Sequence, residues 1–145
     1  MARKSRRYPQ HYPQHYPQHY LQHYLLTATA EQDFREARRW SLPRWGKELT
    51  QQYFADLHQS AQEIAQYHQR FASVDCLSDN LELKIHPVRE HYLVYVPISK
   101  SRIIIVALVR QTSDVPAILR GNGLKIKRQL KKIAEKLERG AIPGL

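Results

Sequence analysis

The stretch that most limits what this chain can fold into runs from His91 to Val109. Its first arm alternates: Tyr92, Val94, Val96 and Ile98 fall on one face, and His91, Leu93, Tyr95 and Pro97 on the other. A period of two sustained that far marks a strand. The second arm, Ile103 to Val109, contains no polar residue. A short β-branched apolar run of this kind reads as a strand buried on both faces. Between the arms, Ser99-Lys100-Ser101-Arg102 is short and polar enough to turn. The two arms form a β-hairpin at the centre of a small sheet. The rest of the chain must cover that sheet or use its rim.

More elements follow from the same rules. Leu81 to His86 alternates apolar and polar, which predicts a half-buried strand, and Pro87-Val88-Arg89-Glu90 links it to the hairpin. The sheet is thus expected to be antiparallel with at least three strands. Tyr24-Leu25-Leu26-Thr27 would be a fourth strand, at an edge. Ser73 to Asn80 reads as a polar loop. A helix follows the Tyr24 strand, with Thr29 and Gln32 spaced as a capping box and Phe34, Ala37 and Trp40 on one face. It should stop before Pro43, because the residue preceding proline avoids the α region. A second helix is expected from about Arg44-Trp45-Gly46 to Arg70, with Leu49, Tyr53, Leu57, Ile64, His68 and Phe71 as its apolar stripe. The short break favours an antiparallel helix pair. His58 and His68 read as surface or stripe-edge residues rather than ligands.

Length and charge bound the rest. The 145 residues support one domain with at most a tail. A net charge of +10 predicts an anionic partner: nucleic acid, an acidic protein or a membrane surface. The single cysteine, Cys76, excludes an internal disulfide framework and suits a reducing cytoplasm. With no base nearby in sequence, it reads as structural rather than nucleophilic. No apolar run approaches membrane-spanning length, and no apolar segment follows the basic N-terminus, so a signal peptide is not expected.

Residues 1–23 read as a low-complexity leader in which Tyr-Pro-Gln-His repeats from Tyr8, Tyr12 and Tyr16. The evenly spaced His11, His15, His19 and His23 could capture metal only weakly, since no cysteine or acid completes a site. No metal or other cofactor is expected. The folded domain is read as 24–120. A short apolar turn at Val115-Pro116-Ala117-Ile118-Leu119 and a Gly121-Asn122-Gly123 breaker precede a separate basic amphipathic helix, 124–139, within a final segment 121–145. Ile126, Leu130, Ile133 and Leu137 form its stripe, and Gly140 ends it. The stripe could pack on the domain or a partner, and the cations could bind phosphates or an anionic membrane; no aromatic anchors the last of these.

Several stretches together resemble the RelE/ParE superfamily of bacterial toxins. They are residues 24–34, Arg44-Trp45-Gly46, Val88-Arg89-Glu90-His91-Tyr92-Leu93-Val94-Tyr95, and Arg110-Gln111 with Asp114-Val115-Pro116-Ala117-Ile118-Leu119. The resemblance covers Tyr24 to about Arg120. It implies an α+β fold, a helical hairpin packed on a small antiparallel sheet, to which this chain adds the basic C-terminal helix. It also implies the toxin half of a type II toxin–antitoxin module, often plasmid-borne, neutralised by an antitoxin whose C-terminal segment wraps it. ParE-like members inhibit DNA gyrase without catalysis. RelE-like members are ribosome-dependent mRNA endonucleases. A degenerate toxin serving as a basic nucleic-acid or protein-binding module is the third reading.

A ribonuclease must hold phosphates with Lys or Arg, take the 2′-OH proton and protonate the leaving 5′-oxygen. The candidates for that chemistry are Lys84, Arg89, His91 and Arg110, with His86 and Tyr92 nearby. For target binding without catalysis the expected residues are Arg89, Tyr92, Arg110 and Asp114. RelE-like ribonucleases carry a Tyr where this chain has Pro116 and an Arg where it has Tyr92, whereas Asp114-Val115-Pro116 is a ParE-like ending. The resemblance therefore favours the gyrase inhibitor.

Overall fold

The computed structural model describes residues 23–70, 74–78 and 81–139. The leader repeat, Phe71 of the predicted stripe and the terminator Gly140 lie outside the described residues. The elements run β1 (Tyr24–Leu26), α1 (Ala28–Trp45), α2 (Lys47–Tyr67), a 3₁₀ turn (His68–Arg70), β2 (Val74–Ser78), β3 (Leu81–Val88), β4 (His91–Ser99), β5 (Arg102–Arg110), α3 (Val115–Gly121) and α4 (Gly123–Glu138). The fold is α+β, as expected.

The expected hairpin is β4–β5, and it sits within a five-stranded sheet of order β1-β5-β4-β3-β2. Both readings of its faces hold. His91, Leu93 and Tyr95 face the α1–α2 pair, while Tyr92, Val94, Val96 and Ile98 face α3 and α4. Residues 102–109 of β5 are all buried. The α1–α2 pair covers the first face with Phe34, Tyr53, Phe54, Leu57, Ala61 and Ile64. On the second face, Val115, Leu119 and Ile126 are buried, with Leu130 and Ile133 packed alongside. The C-terminal helix therefore spends its apolar stripe on the sheet.

Four expectations are corrected. The sheet is mixed, because the edge strand β1 pairs parallel with β5, Tyr24 opposite Ile103. Two helices and three strands lie between β1 and β5, a connection long enough to return the chain in the same direction, and residue patterning carries no information on strand direction. The expected loop at 73–80 contains β2, which pairs antiparallel with β3, Cys76 opposite Leu83. The N-cap of α1 is Thr27, whose hydroxyl accepts from the Ala30 N–H at 3.1 Å, not Thr29. Finally, α1 runs through Pro43 to Trp45 and stops at Gly46, where φ is 87°. A φ in that range is strained for any side chain, so the glycine, rather than the proline, sets the end.

The β4–β5 ladder contains a bulge. Val94 pairs with Ala107 and Tyr95 with Ile105, which leaves Val106 extra. Below the bulge Ile103 and Ile105 face α1–α2; beyond it Leu108 does, while Val106, Ala107 and Val109 face the other side. Unbroken alternation would send Arg110 to the face of Ile104 and Val106. The extra residue returns it to the helical side, and re-aiming a side chain is what bulges commonly do. Helix α1 satisfies the backbone there: Thr27 N–H donates to the Ile105 carbonyl at 3.0 Å, and Leu108 N–H donates to the Asp33 carboxylate at 3.0 Å.

Two buried polar groups in this core differ in how they are satisfied. His58 lies between Tyr24 and Phe34, with its Nδ1 2.6 Å from the Tyr24 hydroxyl, and burial lowers its pKa to about 4. The Tyr95 hydroxyl is buried and has no hydrogen-bond partner among the described residues. Removing it relieves an unsatisfied group while keeping the ring. Tyr95→Phe should therefore raise stability by about 1 kcal/mol, measured as a higher urea midpoint at unchanged m-value.

Candidate functional site

The bulge matters because of what Arg110 meets. Its guanidinium lies 4.5 Å from the centre of the Trp40 ring, and the guanidinium of Arg44 lies 4.2 Å from the same ring. Arg44 Nη1 also donates to the Trp40 carbonyl at 2.6 Å. Trp40 remains 37% exposed. Trp45 meets it edge-on at 5.8 Å, and Tyr53 lies 5.0 Å beyond Trp45. An aromatic ledge with cations on it thus runs along the rim where β4 begins and β5 ends. It borders a cleft of about 220 Å³ lined by Asp33, Glu36, Trp40, Trp45, His91 and Arg110, among others. Helical spacing places Trp40 on α1, and the continuation of α1 through Pro43 carries Trp45 to the ledge.

The floor of the site is the tight turn between β3 and β4. Val88 pairs with His91, which leaves Arg89 and Glu90 as a two-residue loop. Arg89 has φ 54°, a conformation that L side chains adopt at a cost of about 1 kcal/mol. Its surroundings hold it there. The Gln111 amide donates to the carbonyls of Arg89 and His91, each at 2.9 Å, and Gln111 N–H donates to the Glu90 carbonyl at 3.0 Å. The Arg89 guanidinium pairs with Asp56 and lies 5.1 Å from the centre of the Tyr53 ring.

His91 is buried beside this turn. The Tyr53 hydroxyl accepts from the Glu90 N–H at 3.1 Å and lies 2.6 Å from His91 Nδ1. Burial first, and then the neighbouring Arg110, lower the His91 pKa. Burial also raises that of Tyr53. Both shifts favour one arrangement: a neutral imidazole accepting the tyrosine proton at Nδ1, with its own proton on Nε2. His91 is a packed, hydrogen-bonded rim residue.

Asp33 is the unusual acid of the cleft. Desolvation raises its pKa to about 6, against the Leu108 N–H, which lowers it; Glu36 adds to the rise and Lys125 of α4 opposes it. A carboxyl whose folded pKa exceeds its unfolded one binds its proton more tightly in the folded state. Its contribution to stability is therefore full below about pH 4 and lost as pH rises through about 6. Asp33→Asn keeps an oxygen for Leu108 N–H and removes the charge. Allowing for the half-exposed position, the variant should be about 1 kcal/mol more stable than the parent at pH 7. The gain should vanish at pH 4, as followed by thermal unfolding across that range.

The structure brings together only part of the predicted site. Arg89, His91 and Arg110 share the rim; His91 pairs with Arg110 in the ladder. Lys84 does not join them. It pairs with Tyr95, four residues along β4 from His91, or roughly 13 Å at strand rise. Tyr92 points to the α3–α4 face, and the Asp114 carboxylate caps α3 by accepting from the Ala117 N–H at 3.2 Å. Sequence reading did not single out Trp40, Arg44, Trp45, Tyr53 or Gln111 as site residues. Trp40 and Tyr53 lay in helix stripes assigned to the core. Only the exposure of Trp40 reveals a surface role, and exposure is not written in periodicity. Among the described residues there is no group of three or more metal-ligating side chains, and no helix is long and apolar enough to cross a membrane.

The sequence model of the ParE toxin of the type II toxin–antitoxin system parDE matches residues 24–116. No curated protein matches the chain. Among solved structures, the chromosomal ParDE toxin–antitoxin system from P. aeruginosa is similar with a TM-score of 0.49 and 13% identity, over 60% of this chain and 92% of that one.

Proposed function

The chain belongs to the ParE toxin family of type II toxin–antitoxin systems, and on that premise we propose that it is a non-enzymatic growth inhibitor that binds DNA gyrase and is held in check by a cognate antitoxin. The observation that carries this reading is the exposed Trp40 ring with the guanidinium groups of both Arg44 and Arg110 over it. Tryptophan, tyrosine and arginine are the residues that dominate protein–protein contacts, and here they are pre-ordered against one another. The charges suit a macromolecular target better than bond cleavage. His91 is held neutral with Nδ1 engaged, Arg89 is engaged by Asp56, and Lys84 stands well along the sheet. General acid–base work would need a titrating pair within reach of one phosphate. Residues 24–120 would carry the inhibition. The antitoxin would fill grooves around the helices and extend an open sheet edge, for which β2 is available.

Expression under an inducible promoter, with and without a candidate antitoxin gene of the parDE type, tests this reading. Growth should stop when the toxin is made alone and continue when both are made, with transcripts intact in both cultures. Transcripts cut within ribosome-bound codons would replace the reading with an mRNA endonuclease. Healthy cells under toxin alone would leave only a basic binding module.

A further inference from the structure

The family match ends at residue 116, and α4 lies beyond it. Seven cations occur between Lys125 and Arg139 against only Glu135 and Glu138, a net +5 and half of the charge of the whole chain. They are not spread evenly. At 3.6 residues per turn, Lys125, Arg128, Lys132, Lys136 and Arg139 fall in one arc of about 80°. The apolar stripe of Ile126, Leu130 and Ile133 lies on another face, against the sheet. All five cations of the arc are exposed. The arc is about 21 Å long, since the helix rises 1.5 Å per residue.

From this geometry we infer that α4 is a duplex-DNA backbone-binding ridge, contacting phosphates without reading bases. Two features choose DNA over the other anionic surfaces. An amphipathic helix that lies on a membrane must put its apolar face into the lipid. In α4 that face is already committed: Ile126 is 1% exposed, and the Thr29 N–H donates to the Gln129 side chain at 3.1 Å, fixing the helix to α1. A flexible acidic peptide could neutralise a few lysines, but five exposed cations aligned on one helix face over about 21 Å match the regular line of charge on a duplex, one per ~1.7 Å of axis. The inference concerns naked DNA and stands independently of what the rim binds.

The test uses the full chain and a fluorescein-labelled 20-base-pair duplex of arbitrary sequence, followed by anisotropy between 50 and 300 mM NaCl. Five phosphate contacts give a slope of log K against log salt of about −4.5. The variant R128Q/K132Q/K136Q changes three exposed side chains. It should lower the steepness by about 2.7 and the affinity near 100 mM salt by about tenfold or more. Cations elsewhere, including Arg3, Lys4, Arg6 and Arg7, add equally to both slopes, so the difference is the reading. The charge-keeping variant K132R/K136R should retain the parent slope. Absence of duplex binding, an unchanged slope in the neutralised variant, or equal or tighter binding to single-stranded RNA or phosphatidylserine vesicles would overturn the inference.

Discussion

Arg110→Ala should abolish growth arrest while leaving the protein folded. The side chain is exposed and ends β5, so no core contact is lost with it. What goes is one of the two cations over Trp40 and the charge that helps keep His91 neutral. Truncating a central arginine of a protein contact typically costs about 2–4 kcal/mol of binding, or roughly 30- to 1,000-fold in affinity. Trp40→Ala should match it, since it removes the ring on which both guanidinium groups rest. Arg110→Lys should be intermediate: it keeps the charge but loses the planar group that stacks on the ring. Dose–response of growth against inducer, with thermal midpoints of the purified variants alongside, separates a contact role from a folding one. A toxic Arg110→Ala variant at wild-type abundance would remove the rim stack from the account.

Leu57→Ala is the second large effect, and it acts on the fold. Leu57 is fully buried where α2 crosses the sheet. The lost transfer energy and the cavity left behind should together cost about 3 kcal/mol, within the 2–5 kcal/mol seen for such changes. For a domain of this size that is about 10 °C in Tm. Leu49, two turns earlier on the same helix, supplies the contrast. It is 63% exposed, and Leu49→Ala should change stability by less than about 0.5 kcal/mol. The sequence stripe grouped Leu49 with Leu57, but the buried arc is centred on Leu57, Ala61 and Ile64, and Leu49 lies roughly a quarter turn from that centre. Matching losses at the two positions in urea unfolding would contradict the packing described.

That pair shows how far residue patterning reaches. Strict alternation identified both faces of β4, and an unbroken apolar run identified a doubly buried β5, because those patterns follow directly from which side of a pleat is dry. The helix pair and the edge position of β1 were legible for similar reasons. What was missed depends on partners distant in sequence. β2, Val74-Asp75-Cys76-Leu77-Ser78, lacks a strong strand pattern; its strand form is visible in its pairing with β3. The bulge at Val106 leaves no mark in an all-apolar run, yet it decides which face Arg110 occupies. Pro43 suggested a helix end that Gly46 in fact supplies. At the site, the arginines and histidine near the strand ends were visible as chemistry. The tryptophans were not, since a helix stripe gives no indication of which of its aromatics overhangs the sheet.

The central claim, that the rim stack makes this protein a gyrase inhibitor, is met most directly by a supercoiling assay. Purified gyrase, relaxed plasmid and ATP would be combined with increasing amounts of the wild-type chain or Arg110→Ala. The account predicts that wild type blocks supercoiling and that the variant requires at least about 30 times more protein for the same block. Full supercoiling at every wild-type concentration, or equal inhibition by the two proteins, would contradict it.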